Sequence, residues 1–286
     1  MELSERRACR ILEQPRMTQR YKPKRPDRDQ PLVAAMKRLA GKYPRYGYRF
    51  ITAKLRQDGW QVNHKRVQRL WRKEGLQVPY RRKRKKTQGS SRNACFVKKA
   101  EFVNHVWTYD FIDDQTEDGR KLKFLTVLDE YTRESPVIEV ARSIRAKDVI
   151  AVLEYLFMVR AVPGYIRSDN GPEFIADAIR KWLADNHVET LYIAPGSPWE
   201  NGYIESFHAR LRDDLLDREV FHSVKDAKVL VEGWRLEYNN HRPHSGLGYM
   251  TPAAFAATCI PSVSATPRPQ EYTIRKVVNS LIACGT

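Results

Sequence analysis

The chain has 286 residues, 42% of them hydrophobic and 10% aromatic, enough to bury a core and fill two or three domains, which excludes an intrinsically disordered chain. No apolar run reaches the roughly 18 residues of a membrane span, and Met1 to Arg10 has no apolar signal core, so a cytoplasmic chain with no membrane partner is expected. The formal net charge is +17, yet residues 1–100 carry 30 Lys and Arg against 7 Asp and Glu, whereas the other 186 carry 21 against 27. Phosphate neutralisation by Lys and Arg drives non-specific nucleic-acid affinity, so this split suits a polyanion-binding module joined to a different one; a merely solvated basic surface is the plain alternative. Cys9, Cys95, Cys259 and Cys284 lie far apart without a Cys-x-x-Cys pair, which suggests neither a disulfide framework nor a zinc ribbon.

Residues 1–29 read as a basic arm, with one helix from Ser4 to Leu12 and an extended course beyond it enforced by Pro23 and Pro26. Residues 30–80 show three helical patterns, ended by Gly41, Gly59 and Gly75, with Asn63 as the N-cap of the third. The third presents Lys65, Arg66, Arg69 and Arg72 on its polar side. This is the layout of an all-α helix-turn-helix DNA-binding domain, in which the last helix enters the major groove; the alternative is a small bundle with solvated charges. Arg45, Tyr46 and Arg49 fall where aromatics and arginines alternate and are candidate DNA contacts. Residues 81–100 begin with six consecutive basic residues, among them Arg82 and Arg84, and read as a linker able to follow a phosphate backbone.

From residue 101 to 222 the pattern changes. Val106 to Ile112, Lys123 to Leu128 and Ser135 to Val140 are β-branched and aromatic runs with short turns, an antiparallel meander. A buried helix from Lys147 to Arg160 follows. Then come a strand at Tyr165 to Ser168, a helix at Glu173 to Asn186, a strand at Glu189 to Ile193 and a helix at Gly202 to Leu216. The class is α/β, a mixed sheet with helices on both faces. Residues 223–256 hold a last long helix, Val224 to Tyr238, and a polar segment expected near the sheet or on bound DNA. The tail, residues 257–286, offers one strand pattern at Tyr272 to Val278 and no functional reading.

Asp110 falls late in the first strand, Asp169 at the end of the fourth, and Glu205 one residue off the apolar stripe of the helix after the fifth. In a mixed sheet the first and fourth strands can be neighbours. Two carboxylates at adjacent strand ends repel unless a cation lies between them, and Mg²⁺ takes such oxygen ligands. Asp113, Asp114, Asp129 and Glu173 are equally acidic, and spacing alone does not rank them.

The residues that rank them are Trp107-Thr108-Tyr109-Asp110, then Ser168-Asp169-Asn170-Gly171-Pro172-Glu173-Phe174, then Pro198-Trp199-Glu200-Asn201-Gly202-Tyr203-Ile204-Glu205-Ser206-Phe207, with 35 residues between Asp169 and Glu205. In these motifs the chain resembles a transposase of the retroviral-integrase superfamily, most closely the second-reading-frame product (OrfB) of a large bacterial insertion-sequence family. Tyr238-Asn239, Arg242-Pro243-His244, Thr251-Pro252 and Tyr46-Gly47-Tyr48-Arg49 extend the likeness from about Ser4 to Phe255. The resemblance implies a ribonuclease-H-like catalytic core whose Asp110, Asp169 and Glu205 bind two Mg²⁺, with Mn²⁺ able to substitute. It implies Mg-dependent strand cleavage and strand transfer, with Asn170, Asn201 and His208 supporting the site. The implied partners are double-stranded DNA, further copies of the chain on it, and a first-reading-frame (OrfA) product as partner or fusion. The His/Cys zinc module of retroviral integrases is absent. The rival expectation is a catalytically silent DNA-binding regulator of transposition.

Overall fold

The computed structural model describes residues 4–21, 29–78, 98–168, 173–192 and 201–259. The chain forms two compact units, Met1–Ser91 and Arg92–Thr286.

In the first unit, α1 (Glu5–Ile11) and α2 (Arg16–Arg20) come first. The expected extended course after Leu12 is therefore interrupted by a second short helix, which Arg20 ties back to Glu5 through two hydrogen bonds of 2.7 and 2.8 Å. The three expected helices follow as α3 (Gln30–Lys42), α4 (Tyr48–Gln57) and α5 (His64–Lys73). Their apolar stripes converge on Leu32, Met36, Ile51, Leu55, Val67, Leu70 and Trp71. Asn63 caps α5 as its residue type predicts, its side chain accepting from the Lys65 amide at 3.0 Å. Gly41 does not end α3, which runs on to Lys42. Gly59 and Gly75 do follow their helices in the left-handed region, at φ +85° and +66°.

The second unit is built on a five-stranded sheet: β1 (Val106–Gln115), β2 (Lys121–Asp129), β3 (Val137–Ala141), β4 (Tyr165–Ser168) and β5 (Glu189–Tyr192), in the order β3-β2-β1-β4-β5. β1, β2 and β3 form the antiparallel meander, and β4 and β5 join it in parallel through α6 (Ala146–Val159) and α7 (Glu173–Asp185). Parallel neighbours need a crossover, and helices provide both. The sheet is the ribonuclease-H-like one, covered on both faces.

Side-chain alternation along β1 and β2 sorts the core into two layers. Trp107, Tyr109, Leu125 and Val127 pack under α6 and α7 with Val149, Leu153, Leu156 and Ile179. Ile112, Phe124 and Leu128 face the other way, against α8 (Gly202–Leu211) and α9 (Val224–His241), where they meet Ile204, Phe207, Leu211, Val231 and Tyr238. The helix expected from Gly202 to Leu216 changes after Leu211 to a π-helical turn, Arg212–Leu216. A short helix the periodicity did not suggest, α10 (Pro252–Cys259), closes the described chain. The strand expected at Tyr272 to Val278 lies outside the described residues.

The segment from Tyr238 onward belongs to this unit. Tyr238 stands edge-on to Phe207 at 4.9 Å, and the buried Asn239 exchanges hydrogen bonds with the Ser135 backbone at 2.9 and 2.8 Å.

Candidate active site

β1 and β4 lie side by side, with Thr108 opposite Arg167. Odd residues of β1 face α6 and α7, so the even ones, Thr108 and Asp110, face α8. Two hydrogen-bonded contacts set that helix in place. The buried Asn201, at its start, accepts from the Thr108 hydroxyl at 3.0 Å. His208, two turns on, holds Thr126 Oγ1 at 2.7 Å through Nε2 and lies 3.6 Å from Asp110 Oδ2 through Nδ1. Thr126 is the cross-strand partner of Asp110 and donates to its carbonyl at 2.9 Å.

Asn201, Glu205 and His208 are spaced i, i+4, i+7, one stripe of α8. Glu205 therefore sits between two residues anchored to the sheet, at Thr108 of β1 and Thr126 of β2. It is exposed, while its neighbours Ile204 and Phe207 are buried. The Asp110 carboxylate is half-buried and accepts from the Phe111 amide at 2.7 Å. Burial drives the pKa of His208 down to about 4, with the Arg212 charge adding to the effect, so the ring beside Asp110 is neutral. Asp169 and Asn170 lie outside the described residues, and among the described residues no three His, Cys, Asp or Glu side chains stand close enough to hold a metal ion. The two described acids are hard oxygen donors beside a neutral ring, a chemistry that fits Mg²⁺.

Comparison with known proteins adds to this. Residues 100–198 and 186–252 match integrase core domain models, and residues 26–84 match an HTH-like domain. The chain is 37% identical over 255 residues to the 31.7 kDa protein of insertion element IS407 from Burkholderia multivorans, covering 89% of this chain and 91% of that one. It is 38% identical over 255 residues to the 39.2 kDa protein of insertion element IS476 from Xanthomonas euvesicatoria, covering 89% and 73%. The chain belongs to the insertion-sequence transposases of the integrase superfamily. Among solved structures, the HTLV-2 integrase catalytic core domain in complex with magnesium is similar over 55% of this chain and 99% of its own, at 14% identity and a TM-score of 0.40. Membership makes the chain an enzyme of the polynucleotidyl-transferase type that acts in transposition.

In the HTH-like domain the candidate DNA contacts of this family member separate. Lys65 and Arg72 are exposed on α5, and Arg45 and Arg49 are exposed before and on α4. Arg66 and Arg69 both reach back to Asp29, Arg66 through Nε at 2.9 Å and Arg69 at 3.2 Å. They tie α5 to the start of α3. Tyr46 is buried, stacked at 4.7 Å on Tyr43, so its ring fills the core instead of facing solvent. Arg82 and Arg84 lie outside the described residues.

His208 also makes stability depend on pH. An unfolded histidine binds its proton near 6.5 and the folded one only near 4, so stability is complete above about pH 6.5 and declines as pH falls toward 4. Glu130, pushed up to about 7 by burial against the pull of Arg167 and Arg133, titrates in the opposite sense, so the effect is read against a variant. Between about pH 7.5 and about pH 5, in EDTA, the wild type should lose about 2 kcal/mol more urea-unfolding free energy than His208→Gln. Parallel pH profiles would contradict a neutral, buried His208.

Proposed function

We propose that the chain binds the ends of its insertion element and carries out Mg²⁺-dependent strand cleavage followed by strand transfer, with Asp110, Asp169 and Glu205 as metal ligands. The observation that carries this reading is the placement of Glu205 on an α8 stripe anchored to β1 at Thr108 and to β2 at Thr126, the cross-strand partner of Asp110. When bound, two Mg²⁺ ions, or Mn²⁺ in their place, supply charge neutralisation and nucleophile activation at the scissile phosphate.

The protein's own part is positional. Neutral His208 ties α8 to Thr126, the cross-strand partner of Asp110, without adding a positive charge that would compete with a metal for the carboxylate. Asn201 fixes the start of α8, and with it Glu205. The basic first unit grips the element ends, with Lys65, Arg69, Arg72, Arg45 and Arg49 among its exposed cations, and copies of the chain assemble on the DNA.

The test is an in vitro assay with full-length protein, element-end DNA and Mg²⁺. Cleaved and joined products are expected from the wild type and none from Asp169→Asn, with end binding equal in both. Cleavage by Asp169→Asn at the wild-type rate would refute the assignment. End binding without any product from the wild type would identify a silent regulator instead.

A further inference from the structure

The connection between β2 and β3 is unusually tightly held. The buried Asp129 carboxylate accepts from the amides of Asn104, Tyr131 and Thr132 at 2.8, 2.7 and 3.1 Å, and the Asp129 backbone bonds both Arg133 and Glu134 at 2.9 Å. This scaffold fixes Arg133 at φ +64°, a left-handed conformation that L side chains adopt reluctantly. Such strain persists where the surroundings over-determine it, and it concentrates at functional sites.

The strained backbone aims the side chain at α8. The Arg133 guanidinium lies over the Tyr203 ring, 3.5 Å from its centre, and Tyr203 is two residues before Glu205. Arginine presents five N–H donors, and among the described residues Nη1 has no hydrogen-bond partner. His244 Nε2 is enclosed and unpartnered too. The pKa of His244 falls to about 3, through burial first and then the charges of Arg242, Arg133 and Arg210. Asp214 pairs with Arg242, Asp213 with Arg210 at 3.7 Å, and Glu130 with Arg167 at 2.8 Å, so Glu130, the acid whose charge also attracts Arg133, is shared with a second arginine. A clamp serving only to hold the turn against α8 requires neither the strain nor an unmet donor. A guanidinium stacked on an aromatic ring with an N–H group unused is a fork for a phosphate.

We propose that Arg133, stacked on Tyr203, binds a DNA phosphodiester beside the one being cut. The assignment rests on the strand-cleaving reading of the neighbouring acids, and it supplies what those acids lack, a cation that holds the strand in register with them.

Arg133→Gly is the informative variant, because glycine adopts the left-handed backbone freely; Arg133→Asn, which also tolerates it, is the second. Full-length proteins are titrated with fluorescent duplex DNA in EDTA across a salt series. Each variant should bind about tenfold more weakly near physiological salt, and the slope of log affinity against log salt should shrink by about 0.9, one phosphate contact. Arg133→Lys, keeping the charge, should restore the slope. Unchanged affinity and slope in both variants, whatever happens to the melting temperature, would overturn the proposal. So would inorganic phosphate that raises the melting temperature of the wild type but not of Arg133→Gly while the DNA slopes coincide, for the ligand would then be a free anion. Binding in EDTA needs no catalysis. A wild type that never cuts DNA but shows an Arg133-dependent slope would sink the strand-cleaving reading and leave this phosphate site standing.

Discussion

If Asp110 is a metal ligand as proposed, Asp110→Asn should lower Mg²⁺-dependent strand cleavage by about 10³-fold or more, because losing a charged ligand removes several kcal/mol of transition-state stabilisation. The substitution is nearly isosteric. The remaining side-chain oxygen can still accept from the Phe111 amide, and the backbone carbonyl that receives Thr126 is untouched. Affinity for element ends should therefore stay within about twofold of wild type, as the exposed cations of the HTH-like domain are unaltered. Since Asp110 is half-buried beside a neutral histidine, removing its charge should also leave the melting temperature at least as high as that of the wild type in metal-free buffer. The pattern to look for is lost catalysis with binding and stability retained. Cleavage within about tenfold of wild type would remove Asp110 from the metal site.

Asp129→Ala should be the most damaging of these changes to the fold. It strips three amides, those of Asn104, Tyr131 and Thr132, of one shared acceptor in the interior. Each buried donor left unmet costs about 1–3 kcal/mol, so a loss of about 4 kcal/mol is expected, a large part of the roughly 5–15 kcal/mol that holds a domain together. Asp129→Asn should cost about half as much, since one oxygen still serves Tyr131 and Thr132 while the new amide group confronts the Asn104 N–H. Urea unfolding of the three proteins distinguishes the cases. Equal loss in Asn and Ala would mean that charge, not acceptor geometry, holds the turn. Burial raises the pKa of Asp129, so charge is the weaker explanation.

How far the elements were legible depended on whether their cause was local. The strands of the meander and the helices α3 to α9 follow from apolar periodicity and turn residues, and Asn63 caps α5 as its chemistry requires. Helix α2 escaped because its one strong stabiliser, Glu5 with Arg20, spans fifteen positions. The π-helical turn after Leu211 and helix α10 had no periodic signal to announce them. The partners of Arg66 and Tyr46 were hidden on the same ground: composition shows a basic or aromatic residue but not that Asp29 pairs with the first or that Tyr43 stacks on the second.

By its own pattern, then, the sequence determined the two-part plan of a basic helical unit before an α/β unit, the element types, and, through its ordered motifs, the family. Only the tertiary structure decided that β1 and β4 are parallel neighbours, that α8 lies on the sheet with Asn201 on Thr108 and His208 on Thr126, and that Arg133 stacks on Tyr203 with Nη1 unpartnered among the described residues. Local pattern reports which face of an element is apolar. Pairing between strands some sixty residues apart, and a strained arginine held by a buried carboxylate, depend on long-range packing and hydrogen bonding that no short window of residues contains.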